Sequence, residues 1–74
     1  EARYAYVLDR KTNYLVKLNL ATGGVDAKSR LTDKPDFLLY LAGRDQLAVS
    51  SALGRKVFFI DGGGLDVLAT LASV

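Results

Sequence analysis

The feature that most constrains this chain is that it states nearly the same passage twice, about forty residues apart. Tyr4-Ala5-Tyr6-Val7-Leu8-Asp9, then Leu15 to Gly24, then Val25 to Leu31, is answered by Gln46-Leu47-Ala48-Val49-Ser50, then Lys56 to Gly64, then Leu65 to Leu71. Gly23, Gly24, Asp26 and Leu31 align with Gly63, Gly64, Asp66 and Leu71 at a spacing of forty, and Tyr6 and Leu8 align with Leu47 and Val49 at forty-one. Repetition at a fixed period means that each copy is one supersecondary unit. Such a unit cannot bury its apolar face alone and needs a neighbour stacked on it.

Period-two alternation gives seven strands, over residues 2–8, 14–20, 25–31, 37–41, 46–50, 56–60 and 66–71. β-branched and aromatic residues fill them, and turn formers separate them: 9–13, Thr22-Gly23-Gly24, Asp33-Lys34-Pro35-Asp36, Gly43-Arg44-Asp45, 51–55 and 61–64. Pro35 presets its own φ and pushes Lys34 out of the helical region. Only 37–42 and 65–71 carry a pattern that would also suit a helix. Short connections between alternating segments make consecutive antiparallel hairpins. The expected fold is all-β, antiparallel β-propeller blades in about two repeats. Residues 1–32 form an incomplete blade and 33–74 a four-stranded one. The strand after Pro35 takes the innermost place and has no counterpart in the first repeat, and the three residues after Leu71 are too few to supply it.

Seventy-four residues form at most one small domain, in which a single core supplies no more than about 3–5 kcal/mol. An added staple is therefore expected. The chain contains neither Cys nor His, which excludes disulfides and the usual zinc ligand sets. The staple then has to be other propeller blades, as a partner chain, a parent chain or identical copies. No apolar run reaches the roughly 18 residues of a membrane span. The sequence begins with Glu1 rather than Met, as in a processed, trimmed or excised polypeptide. Ten basic and eight acidic residues are interleaved for a net charge of +2, a solvated surface rather than a nucleic-acid stripe.

Two stretches resemble the YVTN and NHL group of propeller repeats: Tyr6-Val7-Leu8-Asp9 followed by Leu18-Asn19-Leu20-Ala21-Thr22-Gly23, and Leu47 to Ser50 followed by Val57-Phe58-Phe59-Ile60-Asp61 and Val67 to Leu71. The resemblance covers almost the whole chain and specifies hairpins, not chemistry. Gly62-Gly63-Gly64 replaces the Thr-Gly of that pattern. Lys17 and Asn19 stand where a face packed on a neighbouring blade is usually apolar. The resemblance implies a secreted, periplasmic or cell-surface setting.

Candidate sites are few. Asp61-Gly62-Gly63-Gly64 precedes a strand and lacks a following Lys-Ser/Thr, so it reads as a plain flexible turn rather than a phosphate cradle. Asp9, Asp26, Asp33, Asp36, Asp45, Asp61 and Asp66 show no calcium-loop spacing and read as turn caps. Ser50, Ser51 and Ser73 lack the setting of a nucleophile elbow. No catalytic, cofactor or metal residue is assigned, and the expected role is non-catalytic. Packing between blades is assigned to Leu18, Leu20, Val57, Phe58, Phe59, Ile60 and Leu68. A binding rim at one end of the blades gathers Arg10, Lys11, Asn13, Asp33, Lys34, Asp36 and Arg55. Alternative readings are a fragment of a ligand-binding or catalytic propeller of dehydrogenase or lactonase type, and RNA binding by the rim. The second is disfavoured because acids alternate with the cations and no aromatic lies in those loops to stack a base.

Overall fold

A computed structural model describes residues 3–72, so Ala2 and Ser73 lie outside the described residues. Seven strands follow one another: β1 (Tyr4–Asp9), β2 (Tyr14–Asn19), β3 (Val25–Arg30), β4 (Phe37–Leu41), β5 (Gln46–Ser51), β6 (Lys56–Asp61) and β7 (Val67–Ala72), with a 3-10 turn at Ala42–Arg44 after β4. They form two antiparallel meanders, a three-stranded sheet in the order β1-β2-β3 and a four-stranded sheet in the order β4-β5-β6-β7. The elements agree with the sequence reading to within a residue or two at each end. Both segments with helical potential, at 37–42 and 65–71, are predominantly strand, because each finds a ladder partner in β5 or β6.

The structural period is forty-two. Tyr4, Tyr14 and Val25 open strands whose counterparts open at Gln46, Lys56 and Val67, in each case forty-two residues on. Left-handed backbone repeats at the same interval, at Asn13 (φ 66°) and Arg55 (φ 55°) and at Gly23 (φ 75°) and Leu65 (φ 66°). So do the turn hydrogen bonds. Leu20 N donates to the Arg3 carbonyl at 2.9 Å and Gly62 N to the Asp45 carbonyl at 2.8 Å, while Gly23 N donates to Asn19 O at 2.7 Å and Leu65 N to Asp61 O at 3.0 Å. A β-bulge falls after Lys17 in one sheet and after Phe59 in the other. The glycine alignment at forty is therefore offset by two. It pairs Gly23 with Gly63, whereas the left-handed position of the second turn is held by Leu65. The glycine triplet serves a different need, since a Cβ on Gly62 would stand 2.6 Å from the Asp45 carbonyl oxygen.

The core lies between the sheets. Leu15 and Leu31 from the first meet Leu47, Val49, Phe58, Ile60 and Leu65 from the second, with Tyr6, Leu8, Ala27 and Leu38 packed at the margin. Register explains the set: Leu47 faces Ile60 and Val49 faces Phe58 across β5 and β6, so alternate residues share the buried face. Of the seven packing residues expected from sequence, Phe58 and Ile60 are buried here, and Leu18, Val57 and Phe59 are half-buried on faces that point away from the core. Two are corrected. Leu20 is 57% exposed because β2 stops at Asn19 and leaves it in the turn. Leu68 is 53% exposed because it is the extra residue of the bulge, with Ala69 opposite Phe59 and Val67 opposite Ile60.

Candidate functional site

Each sheet has one face against the core and one that points outward. On the second sheet the outward face carries Phe37, Leu39, Ala48, Val57, Phe59, Ala69 and Leu71, brought into line by the β4-β5-β6-β7 register. Phe37 is 77%, Leu39 62% and Leu71 58% exposed. The outward face of the first sheet has one strand fewer and carries Ala5, Val7, Tyr14, Val16 and Leu18, with Lys28 and Arg30 opposite Val16 and Tyr14. A groove of about 450 Å³ runs along the larger patch. Phe37, Val57, Leu71 and Ala72 form its floor, and Arg10, Asp36, Arg55 and Lys56 close its rim end.

Of the seven rim residues expected from sequence, the structure brings Arg10, Asp36 and Arg55 to this groove, while Asn13 lines a separate hollow with Arg30, Leu31 and Thr32. The rim's two carboxylates are paired. Arg10 lies 4.0 Å from Asp36 and Lys56 2.9 Å from Asp33. The second oxygen of Asp36 accepts the Ala52 N–H at 2.6 Å. Asn13 tethers the turn, its carbonyl accepting the Leu31 N–H at 2.8 Å. Asp9 accepts the N–H groups of Lys11 and Thr12 at 2.9 and 3.3 Å, and the bond from Lys11 first of all holds its carboxyl below the usual range. Lys11 and Lys34 are exposed. Lys28, on a neighbouring strand, sits over the Tyr14 ring at 4.8 Å. Among the described residues no three carboxylates gather as metal ligands.

A second constellation was not assigned from the sequence. Tyr6 of β1 stacks on Tyr40 of β4, ring centroids 5.5 Å apart and 18° from parallel. The Tyr6 hydroxyl crosses between the sheets to donate to the Gly62 carbonyl at 2.8 Å, and the Tyr40 hydroxyl donates to Asp45 Oδ1 at 2.9 Å. Lys17 is buried, its ammonium 4.0 Å from the Tyr4 ring centroid, 3.3 Å from the Gly63 carbonyl and 3.7 Å from Asp26. Tyr4, Tyr6, Lys17, Tyr40 and Asp45 line a cleft of about 460 Å³. Burial, then the nearby Asp45 carboxylate, raises the Tyr6 phenol above its ordinary value; the hydrogen bond to Asp45 raises that of Tyr40. The loop at 61–64 is thus a docked turn, its carbonyls accepting from two side chains of the first sheet, rather than a free one. Lys17 fits a packed interface because that loop supplies an acceptor. The signals of this cleft in the sequence were the alternation Tyr4-x-Tyr6 and the out-of-place Lys17, since Tyr40 and Asp45 join it through the stacking of the sheets.

No family model and no curated protein matches the chain. Among solved structures, BamB from Moraxella catarrhalis is similar, with a TM-score of 0.70 at 16% sequence identity over 96% of this chain. BamB is a β-propeller protein. The two sheets are β-propeller blades. The chain spans 20% of the length of BamB, and at this identity the likeness is one of fold. The 42-residue step between the two sheets is one blade.

Proposed function

We propose that this chain is a non-catalytic structural and protein-interaction part of a β-propeller of the YVTN or NHL type, whose open blade faces dock further blades. One observation carries the reading. Leu15 is fully buried under the second blade, while Val57, its counterpart one repeat on, lies on an outward face beside exposed Phe37, Leu39 and Leu71. The same repeat position is covered in one blade and open in the other. A continuous apolar patch of this kind marks an interaction site. Blades supplied by a partner chain or a longer parent chain suit it better than identical copies. The two outward faces of this chain differ in size, and β4 has no opposite number in the first blade, so a head-to-tail copy would leave Phe37 and Leu39 uncovered. The setting proposed is secreted, periplasmic or cell-surface, where the absence of cysteine leaves the fold indifferent to redox conditions.

The test is solution mass by light scattering at several concentrations, on the chain and on a variant carrying Phe37→Lys, Leu39→Lys and Leu71→Lys. Association of the parent chain that the variant loses, with unchanged circular dichroism, supports docking at this face. An unsubstituted chain that is fully folded and monomeric at every concentration, and whose urea midpoint the three lysines leave unchanged or raise, shows an open face that needs no cover and counts against it.

A further inference from the structure

The turns of the two blades gather at two ends, and the ends differ in charge. At one end lie the turn between β1 and β2 (10–13), the linker between the blades (31–36) and the turn between β5 and β6 (52–55), with Arg10, Lys11, Lys34 and Arg55. At the other, residues 20–24, 42–45 and 61–66 carry Asp45, Asp61 and Asp66 against Arg44. The cationic end has carboxylates too, but each is engaged within the chain. Asp9 accepts the N–H groups of its own turn, Asp33 pairs with Lys56 and Asp36 with Arg10. Among the described residues, Lys11, Lys34 and Arg55 have no carboxylate partner, and all three are exposed.

Leu53 shares this end and is 80% exposed. The exposure belongs to the position rather than to an uncovered blade face: forty-two residues back, Lys11 has a following blade in place and is exposed as well. Nor is the turn loose. Ala52 N donates to Asp36 Oδ2 at 2.6 Å on one side of Leu53. On the other, Gly54 packs so closely on the linker that a Cβ there would stand 2.7 Å from the Asp33 carboxyl carbon, and its N–H donates to the buried Ser51 hydroxyl at 3.1 Å. An apolar side chain displayed from a fixed turn loses little further freedom when a partner covers it. Between the first turn and the linker, Asn13, Arg30, Leu31 and Thr32 line a hollow of about 320 Å³. Its guanidinium, amide and hydroxyl are donors suited to a carboxylate.

We propose that this end of the two blades docks an acidic segment of a partner protein, which sets carboxylates against Lys11, Lys34, Arg55 and the Arg30 hollow and an apolar side chain against Leu53. The cations steer the segment in, and the leucine contact slows its release. Nucleic acid fits the surface less well. Phosphates would answer the cations, but residues 10–13, 31–36 and 52–55 include no aromatic ring on which a base could stack, and a sugar-phosphate backbone leaves Leu53 uncovered.

The probe is a capped synthetic peptide of six glutamates with two leucines at its centre, titrated into the full chain and followed by amide NMR. Saturable binding that weakens with salt is expected, with shifts at residues 10–13, 30–36 and 52–55. Leu53→Ser should weaken it about tenfold. A serine-centred peptide should bind the unsubstituted chain equally weakly, and serine on both sides should bring no further loss, because the leucines meet one another. Lys11→Glu combined with Arg55→Glu should abolish binding. These three side chains are exposed, so each variant should keep the circular dichroism of the unsubstituted chain. Equal affinity for the leucine and serine peptides, shifts centred on residues 42–45 and 61–66, or absence of binding would overturn the proposal. So would a uridine decamer that binds the same residues more tightly than the peptide, which would assign the surface to nucleic acid.

Discussion

Two phenylalanines on the same sheet separate the closed face of this molecule from the open one. A phenylalanine buries about 200 Å² when covered. Phe58 is 5% exposed and Phe37 77%, so folding removes about 190 Å² from water at the first and about 45 Å² at the second. At about 25 cal/mol per Å² these areas correspond to roughly 5 and 1 kcal/mol, the larger being an upper bound that agrees with the roughly 3–5 kcal/mol measured for buried Phe→Ala changes. A chain of this size holds only about 3–5 kcal/mol in its core. Phe58→Ala should therefore leave little folded protein at room temperature. Phe37→Ala should lower the melting temperature by roughly 4–8 °C at most. Far-ultraviolet circular dichroism during heating and urea titration reads both, and Phe58→Leu provides a folded variant of intermediate loss in which the slope of the urea transition can be compared. Equal losses at the two positions, or a near-neutral Phe58→Ala, would refute the assignment of the core to the face between the blades.

The tyrosine cleft predicts an alkaline limit to stability. Because the Tyr6 phenol is raised above its ordinary value near 10 by burial, the unfolded chain loses that proton first; its contribution is complete below pH 10 and is lost as the pH rises through the higher folded value. Tyrosinate absorbance should accordingly show a phase above the ordinary phenol range, and Tyr6→Phe should abolish the part of that phase assigned to Tyr6. Gly62→Ala should cost about 1–3 kcal/mol through its clash with the Asp45 carbonyl, whereas Gly43→Ala, with open space around it, should be nearly neutral; urea midpoints compare them. Arg55 holds a left-handed φ of 55° without need of its side chain for the fold, so Arg55→Gly should stabilise by about 0.5 kcal/mol, the relief of backbone strain exceeding the added freedom of the unfolded chain. A loss of melting temperature in Arg55→Gly would show that its side chain holds the turn.

The strands were legible because alternation and turn residues are local properties, and the seven segments stand where the pattern puts them. The period was less so. Glycines were the most conspicuous markers, yet their positions reflect two different demands: left-handed backbone at Gly23, and close approach of the Asp45 carbonyl at Gly62. Leu65 adopts the left-handed conformation because its side chain is needed in the core, where it is 1% exposed; that exchange of backbone strain for burial leaves no mark in composition. Leu20 and Leu68 looked like core on hydrophobicity alone. Only the end of β2 and the bulge in β7 place them outside it. Arg10, Asp36 and Arg55 come to one groove because loops at the same end of consecutive hairpins converge. Its ion pairs depend on side-chain reach, and the tyrosine cleft on the stacking of the two sheets.

Lys17 and Phe59 occupy the same position one repeat apart, and their difference bears on what can cover the open face. Lys17 is buried at the blade interface because the loop of the next blade turns the Gly63 carbonyl toward it, with Asp26 on its own sheet and the Tyr4 ring alongside. A buried ammonium without such acceptors would be strongly unfavourable. Phe59 has no polar atom to satisfy, so a carbonyl presented to it would itself lose its hydrogen bond on docking. A surface complementary to the second blade must then meet Phe59 with apolar side chains where the second blade meets Lys17 with a glycine loop. Phe59→Lys tests this. It should leave the isolated fold within about 1 kcal/mol, because the side chain can reach water from a half-buried site, yet weaken any complex formed through this face by tenfold or more, the ammonium being buried there without an acceptor. Binding that survives Phe59→Lys would mean that the covering surface carries the same carbonyl-bearing loop as the second blade, and that the two interfaces are alike after all.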